Sequence, residues 1–76
     1  MLKVVTMKEI ERIFEILDRR EISREAVVIP LRPASPGSIR KRSDGRFEIL
    51  VERDRPLEEW LPELEARLVE LAGLAP

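Results

Sequence analysis

The chain contains no Asn, Gln, Cys, His or Tyr, although it is 76 residues long and 38% charged. Without His and Cys it lacks the side chain that titrates near neutral pH, the thiolate nucleophile and the usual ligands of transition metals. No serine lies in a nucleophile-elbow motif or beside an activating lysine. We therefore expect a protein that is not an enzyme, uses no cofactor and holds no metal.

The same absences indicate heat resistance. Asn, Gln and Cys are among the residues most easily damaged at high temperature, and here Glu and Arg cover the surface instead. That composition is typical of thermophile proteins stabilised by ion-pair networks. The length predicts a single domain, residues 1–76, which buries only ~60% of the surface of its unfolded chain. Self-association is one way in which so small a domain gains stability.

Long apolar segments are also absent. The longest apolar run, Ala26–Leu31, is far too short to span a bilayer, and the first residues lack the features of a signal peptide. The net charge of −1 predicts no general attraction to nucleic acid or to anionic membranes. We expect a cytoplasmic protein without a membrane partner, and no feature indicates a small-molecule substrate.

Two helices are predicted at the ends of the chain. Thr6 and Glu9 form a capping-box pattern that predicts a helix over residues 7–20. A second helix begins near Pro56, is kinked or restarted near Pro62, and stops at Gly73. Both helices carry an apolar stripe, with Ile10, Ile13, Phe14 and Leu17 in the first and Leu57, Leu61, Leu64, Leu68 and Leu71 in the second.

Three strands are predicted between the helices: Ala26–Leu31, residues 38–42 and residues 46–52. Pro30 removes a ladder donor, so the first strand should lie at a sheet edge or break near its end. Residues 2–5 could add a further short strand. The fold class is α+β, with the order α-β-β-β-α, a three-stranded antiparallel meander, and two helices on one face of the sheet.

The hairpin register follows from the side-chain pattern. A two-residue turn would pair Arg42 with Phe47 and mix charge into the apolar face. A three-residue loop with Gly45 in the left-handed conformation instead pairs Ile39 with Ile49. We predict the second register.

The hairpin is also the first candidate binding site. Four cations, Arg40, Lys41, Arg42 and Arg46, lie close together in it, and arginine suits phosphate well. A two-stranded ribbon can enter the major groove of DNA. Charged edge strands, however, commonly serve only to prevent aggregation. We favour this second interpretation over nucleic-acid binding.

Trp60 is the second candidate. It lies at the flank of the leucine stripe, where a half-exposed tryptophan could anchor a protein interface. The alternative, that it covers one end of the core, is equally favoured. Glutamates such as Glu58, Glu59, Glu63 and Glu65 could bind a hard cation, but a solvated helix face explains them better.

The second helix also carries the frame Leu64-Glu65-Ala66-Arg67-Leu68 directly after a three-stranded sheet. This arrangement resembles the minimal core of zincin-fold metallopeptidases, whose helix bears H-E-x-x-H. The glutamate matches Glu65, whereas both histidine positions are leucine. The resemblance therefore implies at most a zincin-like scaffold without its metal chemistry.

The leading functional hypothesis is a small module that binds a protein partner or itself, through a sheet edge or the Trp60 side of the second helix. The alternatives are a nucleic-acid-binding accessory that uses residues 38–46, and the inactive zincin-like scaffold.

Overall fold

The computed structural model describes residues 4–73. It contains helix α1 (Met7–Arg19), a 3-10 turn (Arg24–Ala26), strands β1 (Val27–Val28), β2 (Ser38–Lys41) and β3 (Phe47–Leu50), and helix α2 (Leu57–Ala72). This order agrees with the predicted α-β-β-β-α sequence of elements and with the α+β class. No helix within the described residues is both long and apolar enough to cross a membrane.

Local sequence signals set the helix ends. The Thr6 hydroxyl accepts a hydrogen bond from the Glu9 amide at 3.2 Å, and the Glu9 carboxylate accepts one from the Thr6 amide at 2.9 Å. This confirms the capping box, which satisfies two amides at the start of α1. Helix α2 ends at Gly73, whose φ of 69° is the left-handed conformation expected of a glycine cap. Pro62 lies inside α2 without dividing it.

Strands β2 and β3 form the predicted hairpin. They are antiparallel, and Ile39 pairs with Ile49 and Arg40 with Glu48. Gly45 has a φ of 90°. The predicted register and the three-residue loop are therefore confirmed. Their basis is local, because only this pairing places the apolar side chains on one face.

The prediction of a purely antiparallel meander is wrong. The strand order is β1-β3-β2, and β1 runs parallel to β3, so the sheet is mixed. The connection from β1 to β2 carries three prolines and crosses to the far edge of the sheet instead of reversing tightly. Ala34 holds it beside the chain that follows β3, because its amide donates to the Val51 carbonyl at 2.9 Å and its carbonyl accepts from the Arg53 amide at 3.0 Å.

The first strand is also shorter than predicted, since regular pairing is limited to Val27–Val28. Of the possible N-terminal strand, Leu2 and Lys3 lie outside the described residues. Val5 is not in a strand, but its amide donates to the Leu31 carbonyl at 2.9 Å, and its side chain is buried.

One core joins both helices to one face of the sheet. It is formed by α1 residues Ile13, Ile16 and Leu17, sheet residues Ile39, Phe47 and Ile49, and α2 residues Trp60, Leu61, Leu64 and Leu68.

Ion pairs between the two helices lie outside this core. Arg12 contacts Glu58 at 2.7 Å, and Glu65 accepts from both Arg19 at 2.7 Å and Arg20 at 2.8 Å. These pairs raise the pKa of Arg12 and lower the pKa values of Glu58 and Glu65, chiefly through the side-chain hydrogen bonds. They link α1 to α2 along the surface of the helix pair.

Candidate functional site

The basic hairpin turns its arginines away from the helices. Arg40 pairs with Glu48 across the strands, and its Nη2 donates to Glu48 Oε1 at 2.9 Å. Arg42 lies 3.3 Å from Asp44. Two of the four predicted phosphate ligands thus face a carboxylate. The side chains of Lys41 and Arg46 form no ion pair with another residue among positions 4–73.

Trp60 is buried, with only 3% of its surface exposed, so the expectation of a half-exposed tryptophan is wrong. Helix α2 packs over β2, and the flank of its leucine stripe that carries Trp60 faces this strand instead of solvent. Covering one end of the core, the alternative weighed from the sequence, describes its position better.

The outer edge of β2 has no neighbouring strand in the described sheet. The Arg42 amide donates to the Arg46 carbonyl at 2.7 Å, which makes this a hydrogen-bonded pair of the antiparallel ladder. Hydrogen-bonded and non-hydrogen-bonded pairs alternate along such a ladder. Arg40 and Ser38 therefore direct their amides and carbonyls towards β3, whereas Ile39 and Lys41 direct theirs outward. Two residues of β2 thus present their backbone groups along the free edge.

A groove of about 220 Å³ lies between this edge and helix α2. We call it the β2–α2 groove. It has an apolar floor and polar walls, and no residue of α1, β1 or β3 contributes to it. Its lining residues are Gly37, Ser38, Ile39, Trp60, Glu63, Leu64 and Arg67.

The charged walls of the groove differ in their partners. Glu63 accepts a hydrogen bond from Arg55 at 2.6 Å, which lowers the pKa of the Glu63 carboxyl and holds it ionised. Arg67 is exposed and makes no ion pair with another described residue. The positive charge in the groove wall is therefore available to a ligand, whereas the negative charge is already paired.

A buried carboxylate fixes the rim of the groove. Glu52 is only 5% exposed, and it accepts hydrogen bonds from the Gly37 amide at 2.9 Å and from the Asp54 amide at 3.1 Å. The Gly37 hydrogen bond is the main cause that lowers the Glu52 pKa. Carboxylates that accept amide hydrogen bonds stay ionised even when they are little exposed.

Gly37 is needed at this rim for a steric reason. A Cβ atom there would lie 2.6 Å from the Glu52 backbone nitrogen. No sequence pattern indicated Glu52 as a structural residue, because its hydrogen-bond donors are backbone amides and one of them lies 15 residues away, although Arg55 also lies 3.8 Å from its carboxylate.

The positions that carry the zincin resemblance are used for packing. Leu64 and Leu68 are buried in the core, and Glu65 is held by Arg19 and Arg20. Between residues 4 and 73, no group of three or more acidic, His or Cys side chains is placed to hold a metal ion. Of the other glutamates of α2 named above, Glu58 forms an ion pair with Arg12 of α1, and Glu63 forms one with Arg55.

No protein-family model, curated protein or solved structure matches this chain.

Proposed function

We propose that the protein is a small protein-binding module that accepts an extended segment of a partner as an additional strand on β2. The observation that carries this proposal is the free backbone edge at Ile39 and Lys41, which lies directly beside the β2–α2 groove. In strand addition, main-chain hydrogen bonds supply affinity, and pockets for alternate side chains supply specificity. Both elements are adjacent here.

The geometry assigns a role to each part. An added strand would hydrogen bond to Ile39 and Lys41 and would direct alternate side chains to the helix side of the sheet. Those next to Ile39 would enter the groove, above Trp60 and Leu64. The groove is small and its floor is largely buried, so we expect weak, reversible binding.

Self-association through the same edge is disfavoured by charge. Pairing two copies of β2 antiparallel would bring Arg40, Lys41 and Arg42 of each copy close to the same residues of the other. Like charges across strands are destabilising. The partner that the edge suits is therefore a different protein.

Nucleic-acid binding by the hairpin has less support. Arg40 and Arg42 already face Glu48 and Asp44. Phe47 and Trp60 are buried, so neither offers a surface on which a base could stack.

A proline substitution tests the edge directly. Because the Lys41 amide points away from β3, Lys41→Pro removes an outward donor and leaves the β2–β3 ladder intact. The protein would be used to select binders from a display library of random linear heptapeptides. We expect the selected peptides to lose affinity for Lys41→Pro and to keep most of it for Lys41→Ala, which retains the amide. Peptides that bound Lys41→Pro as well as the unaltered protein would refute strand addition at this edge.

A further inference from the structure

Charge around the β2–α2 groove carries an inference that rests on the proposed function. We infer that the segment bound on β2 is acidic, with a carboxylate placed two residues from an apolar side chain that enters the groove. The binding partner would thus be recognised as an extended acidic peptide.

The first support is the distribution of available charge. Lys41 lies on the β2 edge, and Arg67 lies in the wall of the groove. Neither side chain forms an ion pair with another residue of the described chain. The nearby carboxylates, Glu63 and Glu48, are held by Arg55 at 2.6 Å and by Arg40 at 2.9 Å. Among the charged residues that line the groove or lie on the β2 edge, those without an ion-pair partner in the described chain are therefore positive. Complementary charge mainly speeds association and excludes wrong partners.

The second support is the spacing along the strand. Ile39 and Lys41 are two residues apart in β2, and their side chains lie on the same face because alternate residues of a strand share a face. An added strand follows the same repeat. A side chain beside Ile39 enters the groove, and the side chain two residues along reaches Lys41. This spacing is the same for parallel and antiparallel addition, so the predicted pattern is an apolar and an acidic residue separated by one position, in either order.

Arg67 gives the groove itself the same preference for acidic groups. It lies one helical turn beyond Glu63 and Leu64 on α2 and lines the groove from the helix side. A second carboxylate of the peptide, or its C-terminal carboxylate, could pair with this guanidinium. Arginine suits a carboxylate because its planar group donates two parallel hydrogen bonds.

The test uses the peptides selected from the heptapeptide library at about 0.15 M salt, where charges within a Debye length of ~8 Å still interact. We expect the selected sequences to be enriched in Asp or Glu two positions from an apolar residue. One such peptide is synthesised with the carboxylates intact and with each replaced by Lys. Its affinity should fall about tenfold for Lys41→Glu and for Arg67→Glu, and the Lys-substituted peptide should recover binding to these variants. Thermal unfolding of both variants establishes that they fold.

The outcomes separate this inference from the proposed function. Selected peptides that are neutral or basic, yet lose binding to Lys41→Pro, would overturn the acidic preference and leave strand addition standing. Failure to select any peptide, or binding unaffected by Lys41→Pro, would overturn both. A 16-base-pair DNA duplex serves as the remaining probe. If it bound more tightly than any peptide, and if replacing Arg40, Arg42 and Arg46 with Ala abolished that binding, the hairpin would be a nucleic-acid site and the inference would fall.

Discussion

Replacing Gly37 with Ala should destabilise the protein, although glycine-to-alanine changes are often stabilising. The added Cβ would lie 2.6 Å from the Glu52 nitrogen, 2.8 Å from its Cα and 2.9 Å from its Cβ. All three atoms belong to the backbone or the first side-chain carbon, so none can swing away. The segment around Gly37 would have to move away from Glu52 as a unit.

The expected loss of stability can be estimated for the two ways in which the structure could respond to the added Cβ. If the contact is retained, overpacking typically costs about 1–3 kcal/mol. If Gly37 moves away, its hydrogen bond to the buried Glu52 carboxylate is lost, and a hydrogen bond to a charged group contributes about 1.5–3 kcal/mol. Alanine also lowers the conformational entropy of the unfolded chain, which offsets about 0.4–1 kcal/mol of this loss of stability. We therefore expect a net loss of about 2 kcal/mol.

Thermal unfolding followed by circular dichroism would measure this loss. For a domain of this size, about 2 kcal/mol corresponds to a fall in Tm of roughly 8–16 °C. Ser38→Ala is the matched control, because Ser38 is the exposed neighbour of Gly37 and should change Tm little. A Gly37→Ala protein as stable as the unaltered one, or more stable, would show that the rim lies further from Glu52 than described and would refute the argument.

Three further predictions concern stability. Trp60→Ala should lower the free energy of unfolding by about 3–5 kcal/mol in chemical denaturation, because the indole is buried. The control Glu59→Ala, at the exposed neighbouring position, should lower it by under about 0.5 kcal/mol. Equal effects would mean that Trp60 is not a core residue. Gly45→Val should lower Tm more than Ser43→Val, because a β-branched side chain resists the φ of 90° at Gly45. Stability should be nearly constant from about pH 6 to 9, where no side chain present ordinarily titrates, and should fall in acid. The sign follows from lowered carboxyl pKa values: their stabilisation is complete above the ordinary value of 4.5 and is lost as the pH falls through the lower folded values, so a Tm that rose in acid would contradict it. The groups concerned are Glu52, Glu58, Glu63 and Glu65.

The sequence by itself determined the features that depend on near neighbours. Thr6 and Glu9 are three residues apart, and they define the start of α1 as the capping pattern predicts. The left-handed glycines at 45 and 73 end the hairpin loop and helix α2 because other residues resist that conformation. The hairpin register could also be derived, since the two strands are close in sequence and only one pairing places Ile39 opposite Ile49 and Arg40 opposite Glu48.

Only the tertiary structure decided the features that depend on distant residues. The β-branched composition of the segment around Val27 and Val28 identifies it as a strand. It carries no information on which strand this segment pairs with or in which direction. The choice of β3 depends on the path of the connection that follows and on its contacts with Val51 and Arg53.

The candidate site was hidden from the sequence for the same reason. The free edge of β2 exists because β1 lies on the other side of β3, and the β2–α2 groove exists because α2 packs over β2. Trp60 is a core residue because the flank of the α2 leucine stripe that carries it faces the sheet. Glu52 is stabilised by backbone amides that only the folded chain brings together. Local chemistry thus set the elements, and long-range packing created the edge, the groove and the charges beside it.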